Sequence, residues 1–201
     1  MNKGRLIVFS APSGCGKGTM LAEILKDNSF RCSVSTTTRA PREGEIDGVN
    51  YFFISKEEFE SKVSNDEFLE YAEYCENFYG TLKTEVDSYL EQGINVILEI
   101  EVQGAMKVRE LRPDAVFVFI APPSVNELRR RLNKRGTETQ EVIEKRIAAA
   151  VTELPYMDKY DYIIVNDALE DAVSDFFAVI RSEMLKTSAQ AEFIEEVIKN
   201  A

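Results

Sequence analysis

Residues 6–19, which read LIVFSAPSGCGKGT, decide the fold. The first four are apolar, as expected for a short buried strand, and the segment leads into MLAEIL, whose apolar positions recur at helical spacing. Between them lies a turn with glycines at positions 14, 16 and 18 and a lysine at position 17. A strand, a glycine-rich turn and a helix N-terminus make an anion site, because backbone N–H groups line the turn and the helix dipole adds positive charge. The segment therefore predicts a phosphate-binding loop.

Two positions of this loop depart from the usual pattern G-x-x-x-x-G-K-[ST]. Ala11 stands at the first glycine, where ordinary backbone dihedrals suffice, so we expect it to matter little. Gly18 stands where a hydroxyl normally reaches Mg²⁺, so the metal must rely on nucleotide oxygens, on water and on Thr19. Lys17 is expected to reach the outer phosphates of a nucleotide. The predicted nucleotide-binding residues of the loop are Ala11, Pro12, Ser13, Gly14, Cys15, Gly16, Lys17, Gly18 and Thr19.

The composition excludes several classes of protein. The chain has 201 residues, a net charge of −11, three cysteines and no histidine. Without histidine there are no histidine bases, metal ligands or triads, and the acidic balance argues against a general nucleic-acid binder. No apolar run approaches the ~18 residues of a membrane span, and the N-terminal run is too short for a signal peptide. Cysteines without metal-like spacing suit a reducing cytosol, so we expect a cytoplasmic protein with Cys15 as a packing residue.

Strand and helix signals alternate along the chain. Four short apolar runs predict buried parallel strands covered on both faces, at residues 6–9, 96–100, 116–120 and 162–165. Helical spacing predicts helices at 19–26 and 169–185, the second with an apolar face made by Leu169, Ala172, Val173, Phe176, Ile180 and Met184. This order predicts an α/β fold with a parallel sheet flanked by helices.

Two segments break the alternation. Residues 35–82 are rich in Thr, Tyr, Phe and charge, and the turn signals at 44–45 and 47–48 predict a hairpin before 51–54. Residues 124–150 predict two helices, and 124–146 carries seven Lys or Arg against four Glu, which suits a small polyanion. We expect 1–34, 83–123 and 151–201 to form the core, with 35–82 and 124–150 as lobes inserted at strand ends, where ligands of open α/β sheets bind.

Several motifs occur in one order that closely resembles the guanylate kinases. They are SAPSGCGKGT, SVSTTTRAPREGEIDGVNYFF, EFLEYAEYCENFYGT, LEIEVQGA, FIAPPS, RGTETQEVIEKR and IVND. The match runs from residue 6 to about residue 184, and the GKGT variant is also similar to that of adenylate kinases. The resemblance implies a P-loop kinase core, a GMP-binding lobe at 35–82 and a helical lid at 124–150. It also implies ATP-dependent phosphorylation of GMP, and of dGMP, to GDP with Mg²⁺ in purine nucleotide metabolism.

A phosphate site is predicted early in the GMP-binding lobe. Arg39 and Arg42 flank Pro41, which restrains the residue before it to an extended conformation. Two guanidinium groups held in this way can grip one phosphate monoester through bidentate, charge-assisted bonds. The hydroxyl groups of Tyr51 and Tyr79 are expected to add donors.

A guanine site is implied by the resemblance. Guanine presents two adjacent donors, N1–H and the exocyclic amine, beside the acceptor O6. The resemblance places Glu70 on the donor edge, with the hydroxyl groups of Ser35 and Thr81 as further partners. Adenine presents an acceptor at N1 and would leave the carboxylate unpaired, so such a site can reject the wrong base by ~10⁴ or more.

The motif LEIE departs from the family, which usually has aspartate at the first acidic position and commonly at the second. The resemblance implies that Glu99 lies near the waters of Mg²⁺ and that Glu101 lies near guanine or its arginines. The alternative is two carboxylates at the exposed end of a strand, without these roles.

The cationic segment supplies further site residues. The resemblance assigns Arg135 and Arg146 to the lid over ATP, with Arg131 as an additional candidate, and Asn166 to the surroundings of the adenine. Arginines from a mobile lobe can neutralise charge on the transferred phosphoryl group. A phosphate acceptor is already anionic, so catalysis needs no general base. The predicted catalytic residues are Lys17, Arg39, Arg135 and Arg146.

Three alternatives stay open at this point. The first is a related interaction module that grips phosphorylated peptides; the second is a P-loop kinase with another acceptor. The third, a signalling GTPase, is disfavoured because no clear N-K-x-D motif is present. The expected partners are ATP and GMP, with no nucleic acid and no membrane, and a homodimer is possible.

Overall fold

The computed structural model describes residues 3–74, 76–135 and 139–199, without the side chains of Tyr74, Arg135 and Glu192. The chain divides into two compact units, one of Lys3–Ser10 with Asn28–Ala115 and one of Ala11–Asp27 with Val116–Ala201. The strands are β1 (Leu6–Ser10), β2 (Phe30–Cys32), β3 (Thr36–Thr37), β4 (Phe52–Phe53), β5 (Phe68–Tyr74), β6 (Asn77–Leu82), β7 (Asn95–Glu99), β8 (Val116–Ala121) and β9 (Tyr162–Val165). The helices are α1 (Lys17–Ile24), α2 (Lys56–Ser64), α3 (Lys83–Glu91), α4 (Val102–Leu111), α5 (Val125–Arg135), α6 (Gln140–Glu153), α7 (Leu169–Leu185) and α8 (Ala191–Lys199).

Parallel strands form the core of the first unit, in the order β2–β7–β1. Leu6 lies opposite Val96 and Phe9 opposite Glu99, while Phe30 on the other side of β7 lies opposite Asn95. The apolar residues of β1 and β7 are fully buried, because α3 and α4 pack against these strands. The strand predicted at 96–100 is therefore confirmed, with both ends one residue earlier in the chain.

A second sheet in the first unit has the order β4–β3–β6–β5. The pairs β3–β6 and β5–β6 are antiparallel. Ser55 caps the N-terminus of helix α2, and its hydroxyl accepts a hydrogen bond from the Glu58 N–H at 3.1 Å. Its buried Phe59 stacks on Phe68 at 4.4 Å and on Phe78 at 5.4 Å between ring centroids. This sheet, called the lobe sheet below, thus has an aromatic core of its own.

The hairpin predicted before residues 51–54 is wrong, because β3 and β4 pair in parallel. The connection between them is a folded loop rather than a tight turn. Gly44 and Gly48 take positive φ angles of 85° and 72° within it. The Asp47 carboxylate accepts a hydrogen bond from the Phe53 N–H at 2.9 Å. Gly44 and Gly48 do turn the chain. The turns bring it back to the end of the sheet at which β3 begins, so β4 runs parallel to β3. Local turn signals do not indicate this pairing.

The second unit contains the parallel pair β8–β9, in which Val118 lies opposite Tyr162 and Ala121 opposite Val165. Strand β8 is buried throughout. Strand β9 is covered less than predicted, since Ile163 is 52% exposed and Val165 50% exposed. The cause is that only alternate residues of β9 face the core, as in a half-buried strand.

Helix α7 spans the predicted residues and packs against α1 and β9. Ala172, Phe176 and Ile180 are buried as predicted, but Met184 is 41% exposed. Glu183 is buried instead; it accepts a hydrogen bond from the Tyr162 hydroxyl and pairs with Lys186 at 2.6 Å. The apolar pattern of α7 did not indicate that a carboxylate would occupy this buried position.

Helices α5 and α6 confirm the two helices predicted for the cationic segment. The Ser124 hydroxyl caps α5 by accepting the Glu127 N–H at 3.1 Å, and the Thr139 hydroxyl caps α6. The two helices share a buried cluster that consists of Cys15, Leu128, Leu132, Ile143, Ile147 and Ala150. Together these observations confirm a mixed α/β fold with parallel strands flanked by helices. Within the described ranges, no helix is both long and apolar enough to cross a membrane.

Candidate active site

The predicted phosphate-binding loop follows β1 directly and leads into α1. Gly14 and Gly16 have φ angles of 93° and 81°, in the left-handed region that favours glycine. The Cys15 N–H donates to the Pro12 carbonyl at 3.3 Å, and the Met20 N–H donates to the Gly16 carbonyl at 3.0 Å. The loop therefore closes on itself and starts a helix, and the N–H groups at such a helix N-terminus suit an anion.

Asn166 fastens this loop from the end of β9. Its side-chain amide donates to the Cys15 carbonyl at 2.8 Å, and the residue is only 5% exposed. A Cβ on Gly16 would lie 2.6 Å from the same amide nitrogen, so the loop passes directly over Asn166. The resemblance placed Asn166 near adenine; its amide is here committed to the loop, and the adenine contact stays a prediction.

Three loop positions have distinct surroundings. A Cβ on Gly14 would meet Leu132 at 2.8 Å and Leu128 at 2.9 Å, so only glycine fits beside α5. Cys15 is fully buried, and burial raises the pKa of its thiol to about 12, so the thiol stays neutral. A Cβ on Gly18 would meet no described atom within 4 Å. Packing thus requires glycine at position 14 but not at position 18.

Two arginines of the cationic segment reach the nucleotide loop or its support. The Arg146 guanidinium donates to the Ser13 hydroxyl at 3.1 Å, which brings this residue of α6 to the loop. Arg131 donates to the Asn166 carbonyl at 2.7 Å and to the Glu127 carboxylate at 2.7 Å. Arg131 therefore ties α5 to the residue that holds the loop. Arg135 ends α5, and its side chain lies outside the described atoms.

Paired guanidinium groups surround Glu127 on α5. Hydrogen bonds from Arg130 and Arg131 lower the pKa of this carboxyl to about 2. Arg129 makes a separate ion pair with Glu144, which joins α5 to α6. Arg129, Arg130 and Arg131 are thus paired with glutamates of the same two helices. Among the described arginine side chains of this segment, Arg146 is the one that contacts the loop itself.

Two of the predicted guanine-binding residues lie opposite each other in the lobe sheet. Thr81 lies opposite Glu70 in the pair β5–β6. Directly opposed residues of an antiparallel pair share a face of the sheet. Ser35 directly precedes β3, whose first residue Thr36 lies opposite Gly80, the neighbour of Thr81. Glu70 and Thr81 therefore share one face of the lobe sheet, and Ser35 lies at the start of the adjoining strand.

Glu70 lies on the outer strand β5 and is held by Thr81 of the neighbouring strand β6. The buried Thr81 hydroxyl donates to Glu70 Oε1 at 2.8 Å. A Cβ on Gly104 of α4 would lie 3.4 Å from Glu70 Oε2, so a small residue leaves room for the carboxylate there. Burial raises the pKa of the Glu70 carboxyl, while the Thr81 hydrogen bond and the positive charge of Lys107 oppose that rise. The result is a partly desolvated carboxylate with one oxygen fixed.

The predicted phosphate cradle is built around Arg39. Its guanidinium carbon lies 5.4 Å from the ring centroid of Tyr51 and 5.8 Å from that of Phe53. Tyr51 and Tyr79 meet edge to face at 6.0 Å between centroids. The structure thus brings Arg39, Tyr51 and Tyr79 together. The Arg42 side chain is exposed and has no ion pair within the described parts of the chain.

Glu99 and Glu101 occupy different positions at the end of β7. Glu99 is the last residue of the strand, is exposed, and lies opposite Phe9 of β1. Glu101 is exposed at the start of α4, where its carbonyl accepts the Ala105 N–H at 2.9 Å. The Ser10 hydroxyl donates to the Ile100 carbonyl at 2.7 Å, which fixes the segment between the two glutamates beside β1.

Glu45 is a site residue that sequence reasoning missed. In the sequence it stands only within a turn signal, although it makes a bidentate ion pair with Arg39 at 2.9 Å. Both residues lie in an irregular loop, where no helix or strand periodicity indicates which side chains meet. Arg131 was named only as a candidate for phosphoryl transfer, and its link to Asn166 depends on a contact between residues 35 positions apart.

Comparison with known proteins agrees with this geometry. The guanylate kinase family profile matches residues 3–183. The chain is 53% identical to a guanylate kinase of Latilactobacillus sakei subsp. sakei (strain 23K), over 92% of each chain. It is 48% identical to that of Clostridioides difficile (strain 630), over 99% of this chain and 98% of the relative. A crystal structure of guanylate kinase from Anaplasma phagocytophilum matches with a TM-score of 0.70 and 35% identity, over 93% of this chain and 89% of that one. The chain therefore belongs to the guanylate kinase family.

Proposed function

We propose that the protein transfers the γ-phosphoryl group of ATP to GMP, and to dGMP, in the reversible reaction ATP + GMP ⇌ ADP + GDP. The observation that carries the choice of acceptor is the Glu70 carboxylate, which lies opposite Thr81 in the lobe sheet and accepts the Thr81 hydroxyl at 2.8 Å. A carboxylate accepts from both donors on the guanine edge, and hydroxyl groups donate to O6. The guanylate kinases to which the chain is similar support the same reaction.

On the acceptor side, Arg39, Arg42, Tyr51 and Tyr79 would bind the GMP phosphate. The cradle offers planar guanidinium and hydroxyl donors, which match a phosphate monoester. We assign Glu101 to guanine or to the arginines that hold GMP. Its exposure at the start of α4 leaves the carboxylate accessible.

On the donor side, the loop from Ala11 to Thr19 would hold the phosphates of ATP. Backbone N–H groups of the loop and of the first turn of α1 are suited to phosphate oxygens. We assign Lys17 to the outer phosphates and Arg146, which already contacts Ser13, to charge on the transferred group. Arg135 is proposed for the same role from its place at the end of α5. Asn166 would support both the loop and the adenine.

The residues present fit a magnesium ion that keeps most of its waters. The described residues include no group of three or more His, Cys, Asp or Glu side chains that could hold a metal. They do offer hard oxygen donors, the Glu99 carboxylate and the Thr19 hydroxyl, and Mg²⁺ binds such donors together with water and phosphate. We therefore propose that Glu99 acts through the waters of Mg²⁺. The ion supplies charge neutralisation at the β- and γ-phosphates of ATP.

Catalysis in this proposal needs alignment and charge neutralisation, without a general base. The attacking atom is a phosphate oxygen of GMP that is anionic near neutral pH. The side chains proposed for catalysis are all cations: Lys17, Arg39, Arg135 and Arg146. Cations of this kind stabilise charge on the phosphoryl oxygens as the bond to the leaving phosphate breaks. A division into core, GMP lobe and lid, a cytoplasmic location and a homodimer stay predictions.

A coupled assay with ATP, Mg²⁺ and each of GMP, AMP, UMP and CMP tests the function. Among these four acceptors, turnover is expected only with GMP, since the other bases do not present two adjacent donors to the Glu70 carboxylate. Lys17→Met is the matched inactive variant and is expected to fold normally, because Lys17 is not part of the apolar core. Equal turnover with AMP would favour another acceptor. Absence of turnover together with tight binding of phosphorylated peptides would favour an interaction module.

A further inference from the structure

We propose that Glu45 is a positioning residue that commits Arg39 to present a single edge of its guanidinium group to the acceptor phosphate. The inference rests on the proposed function, in which Arg39 binds that phosphate. Glu45 is an acidic residue in a site that is proposed to bind an anion. Charge attraction to the ligand therefore does not explain its presence there.

The Glu45 carboxylate occupies one full edge of the Arg39 guanidinium group. Arg39 Nη1 donates to Glu45 Oε2 at 3.0 Å, and Arg39 Nη2 donates to Glu45 Oε1 at 2.9 Å. Nη1 also donates to the Ala40 carbonyl at 2.7 Å. Both protons of Nη1 and one of Nη2 are therefore engaged. The side edge, formed by Nε–H and the second N–H of Nη2, is the bidentate edge that this arrangement leaves for a phosphate.

Aromatic rings restrict the Arg39 guanidinium in the remaining directions. Tyr51 and Phe53 lie within 5.8 Å of the guanidinium carbon, measured to the ring centroids. A hydrogen bond with the Tyr79 hydroxyl contributes to raising the pKa of Arg39. Tyr79 is itself a proposed phosphate ligand, so the guanidinium edge and the phenol converge. The Arg39 side chain is only 15% exposed, which fits a group with one fixed orientation.

The same carboxylate also fixes the backbone at the second arginine. Glu45 Oε2 accepts the Arg42 N–H at 2.7 Å. The Glu45 N–H in turn donates to the Arg42 carbonyl at 3.1 Å, which closes a turn through Gly44. One side chain thus sets the orientation of Arg39 and the position from which Arg42 extends. Two cations on a flexible loop would otherwise spend conformational entropy each time a phosphate binds.

Two alternative roles for Glu45 predict opposite effects of its removal on the binding of GMP. A positioning carboxylate improves phosphate binding, so its removal weakens the binding of GMP. A carboxylate that merely fills the phosphate position in the free protein competes with GMP, so its removal strengthens binding. Positioning is favoured because Glu45 and the Ala40 carbonyl together engage both protons of Nη1 but only one of Nη2, so Nε–H and one N–H of Nη2 are not used by Glu45.

A double-mutant cycle on Glu45 and Arg39 separates these roles. The variants are Glu45→Ala, Arg39→Ala and the double variant, with steady-state kinetics measured for GMP and for ATP. Glu45→Ala is expected to raise the KM for GMP by about 10-fold or more, because small misplacements of a binding group are costly. The KM for ATP is expected to stay within about twofold. The double variant is expected to lose clearly less than the sum of the two single losses, since Glu45 acts mainly through Arg39; a smaller loss beyond Arg39→Ala is expected from its bond to the Arg42 N–H.

Glu43→Gln is the control, because Glu43 is an exposed carboxylate in the same loop. It is expected to leave both KM values unchanged. Glu45→Gln keeps the volume and shape of the side chain, and it should restore part of the GMP affinity if the hydrogen bonds orient Arg39. Thermal denaturation of each variant checks that the fold is retained.

The outcomes distinguish the inference from the function on which it rests. A lower KM for GMP in Glu45→Ala overturns positioning, and so does a double variant whose loss is the sum of the single losses. If Arg39→Ala leaves the KM for GMP unchanged, the assignment of Arg39 fails and the inference fails with it. If the unaltered protein does not phosphorylate GMP at all, the proposed function itself is wrong.

Discussion

The Thr81 hydroxyl donates to Glu70 Oε1 at 2.8 Å across the antiparallel pair β5–β6. This hydrogen bond holds one oxygen of a carboxylate that burial makes less favourable to ionise. A fixed, partly desolvated acceptor suits the recognition of a base edge with two donors. The relationship also explains why a threonine and a glutamate 11 residues apart belong to one site.

Replacement Glu70→Gln is expected to lower kcat/KM for GMP by about 10³-fold, because an amide nitrogen would face a donor of guanine. Thr81→Ala is expected to have a smaller effect of about 10-fold, since it removes one supporting hydrogen bond and leaves the carboxylate. Steady-state kinetics with GMP check both values. Equal losses on both substitutions, or none, would contradict a direct role for Glu70 on the base.

The stability of the free protein should reveal the cost of ionising Glu70. Its pKa in the folded state lies above the value of 4.5 for an exposed glutamate. Between these two values the folded state binds more protons than the unfolded state, so stability falls as pH rises through this interval and levels off above it. Glu70→Gln removes this fall and is expected to raise the melting temperature at pH 7 without ligand.

Thermal denaturation of both proteins between pH 5 and pH 8 measures that difference. The gap between the glutamine variant and the unaltered protein should widen as pH rises through the Glu70 pKa. A gap that narrows with rising pH would show that ionised Glu70 stabilises the free protein, contrary to the desolvation argument.

Asn166→Ala is expected to loosen the nucleotide loop, because the Cys15 carbonyl loses its 2.8 Å hydrogen bond from the Asn166 amide. A lost buried hydrogen bond costs about 1–3 kcal/mol of the free energy of unfolding. The KM for ATP should rise while the KM for GMP changes little. Asn133→Ala is the matched control, because the Asn133 amide donates to a backbone carbonyl on the exposed surface of α5. Equal effects of the two substitutions on ATP would contradict a role for Asn166 in the loop.

The thiol of Cys15 is expected to resist alkylation in the native protein. Burial raises its pKa to about 12, so almost no thiolate is present at pH 8. Cys32 is half-buried and should react faster. Timed labelling with iodoacetamide followed by peptide mapping compares the two sites. Labelling of Cys15 at the rate of Cys32 without denaturant would contradict its burial against α5 and α6.

Much of the fold was predictable because its signals are local. The apolar runs marked β1, β7, β8 and β9, and the helical spacing gave the bounds of α7. The hairpin prediction failed because turn residues indicate where the chain bends, not which strands then pair. The predicted burial of Met184 failed for a related reason, since Tyr162 and Lys186 provide partners that let Glu183 occupy the buried position.

The arrangement of the candidate site could not be predicted from the sequence. Motif resemblance named Ser35, Glu70 and Thr81, and the strand register shows that Glu70 and Thr81 lie opposite each other. Their binding of guanine stays a prediction. The role of Glu45 was not predicted, because its partner Arg39 lies in an irregular loop without a repeating spacing. Arg131 and Asn166 are joined by a bond from a helix to a strand end, and no sequence period connects them.

A crystal structure of the protein with bound GMP tests the central claim most directly. The account predicts the Glu70 carboxylate within hydrogen-bonding distance of N1 and the exocyclic amine of guanine, with Ser35 and Thr81 near O6. It predicts the phosphate on Arg39, Arg42 and the two tyrosines, with Glu45 still paired to the far edge of Arg39. GMP bound elsewhere, with Glu70 and Arg39 free of the ligand, would contradict it.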